Sequence, residues 1–259
     1  MQARTVAASN GWTWITGGFR LFAKSPGMWL AVLAVLFVCA KLLVLIPILG
    51  IVFVLLIPVF IAGLMDGARA VEEGRPLKVM HLSCGFLYNA GSLVTLGGIS
   101  LVANVLVVVI VYALGGEALT SMAKTMQQNP QMTPELAAQM QGAFAVVGRA
   151  FVIATVLSLP LLMALWYAPL LVYFHDMSPI AAMKSSFVAC LRNTLPLLVY
   201  GLVVLAGMFL VMPITVALGQ YDLSLWLLAP VVIPSLYVSY RDIYFVAEPD
   251  PLPPQVNAE

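Results

Sequence analysis

Few side chains in this sequence have the types and spacing for chemistry. The histidines are His81 and His175, and the cysteines are Cys39, Cys84 and Cys190. His175 is followed by Asp176, a pair suited to general-base work, yet adjacent residues diverge on a helix and no nucleophile stands at a matching spacing. No HExxH, GxSxG, GxGxxG or P-loop pattern occurs. The cysteines form no CxxC and are odd in number, which argues against a disulfide framework and leaves them as small apolar residues. The spacing that recurs belongs to aspartates. Asp66, Asp176 and Asp242 close the runs IPVFIAGLMD, WYAPLLVYFHD and WLLAPVVIPSLYVSYRD, and follow Pro58, Pro169 and Pro234 by eight, seven and eight positions. Arg69 lies one helical turn beyond Asp66, and Arg241 is beside Asp242. Convergence of these ends would make a polar cluster of Asp66, Arg69, His175, Asp176, Arg241 and Asp242, able to hold an ion or a proton. The plainer expectation is stop signals and salt bridges, because charge near a membrane interface costs little.

Composition shows what must position these groups. Hydrophobic residues make up 62% of 259 and charged residues 9%, and the mean hydropathy is +1.02. A soluble domain has roughly 45–50% apolar and about 25% charged residues. The surplus does not fit inside one core, so the solvent is lipid. Six spans are expected, near 28–46, from the turn at 47–50 to 68, then 91–114, 149–174, 194–218 and 223–240, each close to the ~20 residues a bilayer core needs. The first apolar run begins at Met28 and is too long for a signal-peptide core, so that span is expected to be retained. Pro47–Gly50 is expected as a turn, Gly115-Gly116 as the end of span three, and Pro160 and Pro169 as kinks. Gly63 and Gly67 form a GxxxG, a weak helix-contact signal. The hydrophilic insertion, about 117–148, is broken at Asn129-Pro130. Its second half should be helical from a Thr133 cap, because Thr133-Pro134-Glu135 places an N-cap, an initial proline and an acidic first turn in order.

Short amphipathic segments precede each pair of spans. Trp12, Ile15, Phe19 and Phe22 fall at i, i+3, i+7 and i+10 on a helix capped by Ser9 or Asn10. The same spacing recurs as Leu77, Met80, Cys84 and Leu87 after Pro76, and as Ile180, Met183, Phe187 and Cys190 after Pro179. Apolar stripes beside Arg20, Lys24 and Arg192 describe helices lying in the headgroup layer; packing of these stripes on the spans is the alternative. The fold class expected is therefore all-α: a polytopic membrane bundle of six spans in three hairpins, each preceded by an amphipathic interfacial helix. The hairpins, about 9–73, 76–176 and 178–245, belong to one membrane domain, 1–246. Residues 1–8 are expected to be a loose tail and 247–259 a disordered one, the latter rich in proline and polar residues. A cytoplasmic N-terminus puts nine of the twelve basic residues inside, against Lys41, Lys124 and Arg149 outside, so both termini are expected in the cytoplasm and 117–148 in the periplasm.

The words RTVAASNGW, GFRLF, AMKSSFVACLRN and SYRDIYF resemble an uncharacterised family of six-span inner-membrane proteins from proteobacteria, over nearly the whole chain. The resemblance implies a bacterial cytoplasmic membrane and a helical fold, without an activity. More distantly, the alternation of short helix and hairpin is similar to membrane domains attached to glycerophosphodiester phosphodiesterases, although no catalytic domain of that kind occurs here. A net charge of +1 gives no field for nucleic acid. The expected partner is the lipid bilayer, with a membrane-protein partner or a second copy left open, and no cofactor, metal or catalytic residue is implied. The expected function is a non-enzymatic membrane module that interacts with lipid, organises the envelope or docks a partner. A small-solute or ion transporter is the alternative, and it suffers from span centres that are almost wholly apolar.

Overall fold

A computed structural model describes residues 3–44, 46–128, 133–219 and 223–245, and among these every regular element is helical. The helices are α1 (Asn10–Lys24), α2 (Pro26–Val44), α3 (Pro47–Glu72), α4 (His81–Leu87), α5 (Ala90–Gln128), α6 (Pro134–Trp166), α7 (Ala168–His175), α8 (Pro179–Arg192), α9 (Thr194–Ala217) and α10 (Leu223–Tyr244). Among the described residues six stretches are long and apolar enough to cross a membrane: Pro26–Leu43, Ile48–Glu72, Ala90–Gln128, Met140–His175, Thr194–Ala217 and Leu223–Tyr244.

Several boundaries differ from the sequence reading, each for a local reason. Pro47 opens α3, so Pro47–Gly50 is a first helical turn, where a missing N–H costs nothing. Pro76 stays outside any helix; α4 starts only at His81. Gly115 and Gly116 do not end the third span. Gly115 is buried where α5 meets α6, and a Cβ there would stand 3.3 Å from Ala150 Cβ, so its smallness serves close packing. Helix α5 therefore runs 39 residues and α6 runs 33, about 58 and 50 Å at ~1.5 Å per residue, well beyond a ~30 Å hydrocarbon core. Most of the hydrophilic insertion consists of these two helix ends. Thr133 caps α6 as its sequence predicts, accepting from the Leu136 amide at 3.3 Å with Pro134 next in line. Pro160 lies within α6, whereas Pro169 stands in the first turn of the separate helix α7. Gly67, half of the GxxxG, receives the Leu77 side chain of the folded linker. The Asn129-Pro130 break, the Gln220–Asp222 part of the last turn, and the 247–259 tail lie outside the described residues.

The chain divides into two compact units that do not follow the three consecutive hairpins. One comprises the described parts of Met1–Phe37, Leu64–His81 and Val188–Glu259. In it α1 packs against α9 and α10, elements almost two hundred positions away in sequence. The packed face of α1 is Gly11, Trp14, Gly18 and Leu21. A Cβ on Gly18 would stand 2.5 Å from the Val231 carbonyl oxygen and 2.6 Å from Ser235 Cβ, so only glycine lets the helices approach this closely. The other unit comprises Val38–Gly63 and Leu82–Phe187. In it α5 and α6 lie along each other and α7 packs on both.

Candidate functional site

In the first unit a polar junction forms where residues 4–14 meet the last turn of α10. Asp242, near the end of α10, places Oδ2 2.7 Å from Asn10 Nδ2 and 2.8 Å from Trp14 Nε1, and both donate to it. The Arg4 guanidinium donates to Oδ1 and to the Asp242 carbonyl. Two carboxylate oxygens thus accept from three side chains, which uses most of their capacity. The Arg4 amide donates to the Ile243 carbonyl (3.0 Å). The Val6 amide donates to Asn193 Oδ1 and Asn193 Nδ2 to the Arg4 carbonyl, both at 2.9 Å. Arg192 reaches the Ala3 carbonyl (3.3 Å). Residues 3–8 are therefore not a loose tail. They are a segment tied to the ends of α8 and α10, where the Arg4 and Val6 amides and the Ala3 and Arg4 carbonyls find partners that replace water.

Asn10 explains a further departure. It spends its side chain on Asp242, and Ser9 makes no side-chain cap bond, so α1 is started by tertiary contacts instead of by a cap. An open cleft of about 450 Å³ beside this junction is lined by Arg4, Asn10, Thr13, Trp14, Arg241 and Asp242, among others.

A second cluster closes the end of α3. Glu72 Oε2 accepts from the Tyr237 hydroxyl at 2.8 Å and Oε1 from Arg241. Lys24 Nζ lies 3.4 Å from the Glu72 carbonyl and 3.5 Å from that of Val71, where the negative end of a helix dipole favours a cation. Arg69 donates to Glu73 at 2.9 Å instead of pairing chiefly with Asp66. Hydrogen bonds from Arg75 and then Arg69 hold the Glu73 carboxyl below its ordinary range. Asp66 faces His81, Oδ2 to Nε2 at 4.0 Å. The other ring nitrogen, Nδ1, lies 2.9 Å from both the amide nitrogen and the carbonyl oxygen of Lys78.

Asp176 belongs to the second unit. It ends α7 in a left-handed conformation (φ 52°) and accepts from Asn89, itself left-handed at φ 57°. Asn89 also donates to the Val172 carbonyl (3.1 Å). His175 is the last residue of α7, half-buried. The three aspartates thus close three different local networks, and among the described residues no group of three metal-ligating side chains comes together.

The apolar stripes are placed unevenly. Trp12 and Phe19 are 57% and 55% exposed, with Ile15 and Phe22 half-buried, so the stripe of α1 faces away from the surface that packs. Ile180 is 57% exposed and Met183 and Phe187 are half-buried, but Cys190 is 1% exposed. Cys190 therefore leaves the interfacial stripe: α8 buries Ala182, Ser186 and Ala189, and its last turn rolls Cys190 inward with them. In the second segment Leu77 is buried, while Met80 and Leu87 are exposed.

Sequence reasoning missed Arg4, Trp14, Glu72, Tyr237 and Asn193 as site residues. A signal existed for Arg4 and Asn193, which stand in the words RTVAASNGW and LRN; Trp14, Glu72 and Tyr237 lie outside those words.

No protein-family profile matches the chain, and no solved structure matches it. It is 31% identical, over 267 aligned positions covering 96% of both chains, to a protein of Burkholderia thailandensis described as a probable inner membrane protein. On that full-length likeness, the chain belongs to the family of this probable inner membrane protein.

Proposed function

We propose that the protein is a non-enzymatic module of the bacterial inner membrane that engages the lipid headgroup layer through its short helices. Its termini lie in the cytoplasm, and its six spans form three hairpins, each led by a short interfacial helix. The observation that carries this reading is the two-sidedness of α1. One face, Gly11, Trp14, Gly18 and Leu21, is occupied by protein, while the other presents Trp12 and Phe19 beside exposed Arg20. Tryptophan and arginine on one exposed helix face suit the boundary between headgroups and acyl chains. The polar groups within the spans support a module over a transporter. The Tyr200 hydroxyl and Ser235 Oγ are 2.9 Å apart, Thr215 Oγ1 and Ser224 Oγ 3.0 Å, and Asn104 donates to its own helix at Ser100 (2.8 Å). Groups that satisfy one another are not presented to a solute.

The test is immersion depth. A spin label at Trp12→Cys, in a variant without the native cysteines and reconstituted in bilayers, should be reached by both oxygen and a water-soluble nickel chelate, as at the headgroup level. A label reached by the chelate alone, or by neither, would overturn the reading.

A further inference from the structure

A second feature lies in the other unit, between α6 and the first turns of α8. Ser186, fully buried, accepts from the Tyr167 amide (2.9 Å) and donates to the Met163 carbonyl (2.7 Å). This hydroxyl bridges the break between α6 and α7 and pins α8 opposite the last turns of α6. The surfaces so opposed leave an open cleft of about 400 Å³, within the roughly 300–1,000 Å³ of small-ligand sites. One wall is Pro160, Leu161 and Ala164 of α6; the other is Ile180, Met183 and Phe187 of α8. The single charged residue in the lining is Lys184. It is exposed, and among the described residues no carboxylate pairs with it, whereas Arg4, Arg69, Arg75 and Arg241 each have one.

We propose that this cleft holds an acyl chain of an anionic phospholipid, with the phosphate on the Lys184 ammonium. The charge is complementary and the walls are wholly apolar. One wall belongs to a stretch able to cross the membrane, so the slot opens on hydrocarbon while the lysine, on its flexible stem, reaches the headgroups. An acyl chain fills such a slot without any hydrogen bond, and an unpaired ammonium favours a lipid with net negative charge over a zwitterionic one. The proposal rests on the reading of the short helices as headgroup-layer elements.

The experiment uses the full chain in nanodiscs of equal phosphatidylglycerol and phosphatidylcholine, with retained lipid identified by native mass spectrometry. The wild type should retain phosphatidylglycerol preferentially. Lys184→Gln should lose about fivefold of that preference, Lys184→Arg should keep it, and Ala164→Trp, which fills the cleft, should lower retention of both lipids. An unchanged preference in Lys184→Gln, or none in the wild type, overturns the site. A spin label at Ile180→Cys separates the two readings. If it sits at headgroup depth while Lys184→Gln behaves as wild type, only the lipid site fails. If it lies in bulk water, the interfacial reading of α8 fails with it.

Discussion

Replacing Asp242 with alanine removes the acceptor on which the N-terminal segment closes. The indole N–H of Trp14, on a side chain 1% exposed, would lose its partner at a cost of about 1–3 kcal/mol. The Asn10 amide adds about 1 kcal/mol. Arg4 is 44% exposed and can turn to water, so its share is below ~1 kcal/mol. The total is about 3 kcal/mol. Cys190 reports the consequence, because Asn193, three residues on, holds Arg4 and Val6 against the end of α8. In a variant keeping only Cys190, thiol labelling requires local opening. A 3 kcal/mol loss raises the open population, and with it the labelling rate, by about a hundredfold where reclosing outpaces reaction. Asp242→Asn keeps one acceptor oxygen and should give an intermediate rate. The decisive comparison is with Asn193→Ala. If that change speeds labelling while Asp242→Ala leaves it at the wild-type rate, Asp242 does not hold the segment and the reasoning is refuted.

Three further outcomes are expected. Gly18→Leu drives a side chain into the Val231 carbonyl and Ser235 and should cost at least about 1–3 kcal/mol, read as a lower melting temperature in detergent and faster Cys190 labelling; a wild-type melt would show that α1 does not pack by this face. The Glu73 carboxyl has a lowered folded pKa, so its contribution to linker order is present above the ordinary carboxylate range and lost as pH falls through the lowered value. Amide exchange at Gly74 and Arg75 should quicken in that acid window and Glu73→Gln should abolish the pH dependence, whereas equal acid sensitivity in Glu73→Gln would rule Glu73 out as the cause. Reporter fusions after Thr125 should behave as periplasmic and those at Glu73, Lys184 and the C-terminus as cytoplasmic; a cytoplasmic signal from Thr125 would sink the orientation.

Membrane residence and the number of spans were legible in the sequence, because the need to bury about twenty apolar residues per crossing is written in composition and run length alone. The Thr133 cap of α6 was legible for a similar reason: a cap and the amide it serves lie within three residues. Wherever the deciding partner was distant, local signals misled. Gly115-Gly116 reads as a helix end, yet the close approach of α6 at Ala150 turns the same glycine into a packing surface. The stripe of large residues on α1 could be read as facing the headgroups or as packing on the spans, and it did not reveal the face that packs, Gly11, Trp14, Gly18 and Leu21, at the same spacing one residue earlier. In a lipid-facing protein, size does not mark the buried face, since large apolar side chains rest in lipid as readily as in protein, while small residues let backbones meet. The candidate site shows the same division. Asp242 was visible as a charge at the end of an apolar run, but Arg4, Asn10 and Trp14 lie 228 to 238 positions away. Only tertiary structure can bring such partners together, because hydrogen bonding depends on distance in space and periodicity carries no record of it.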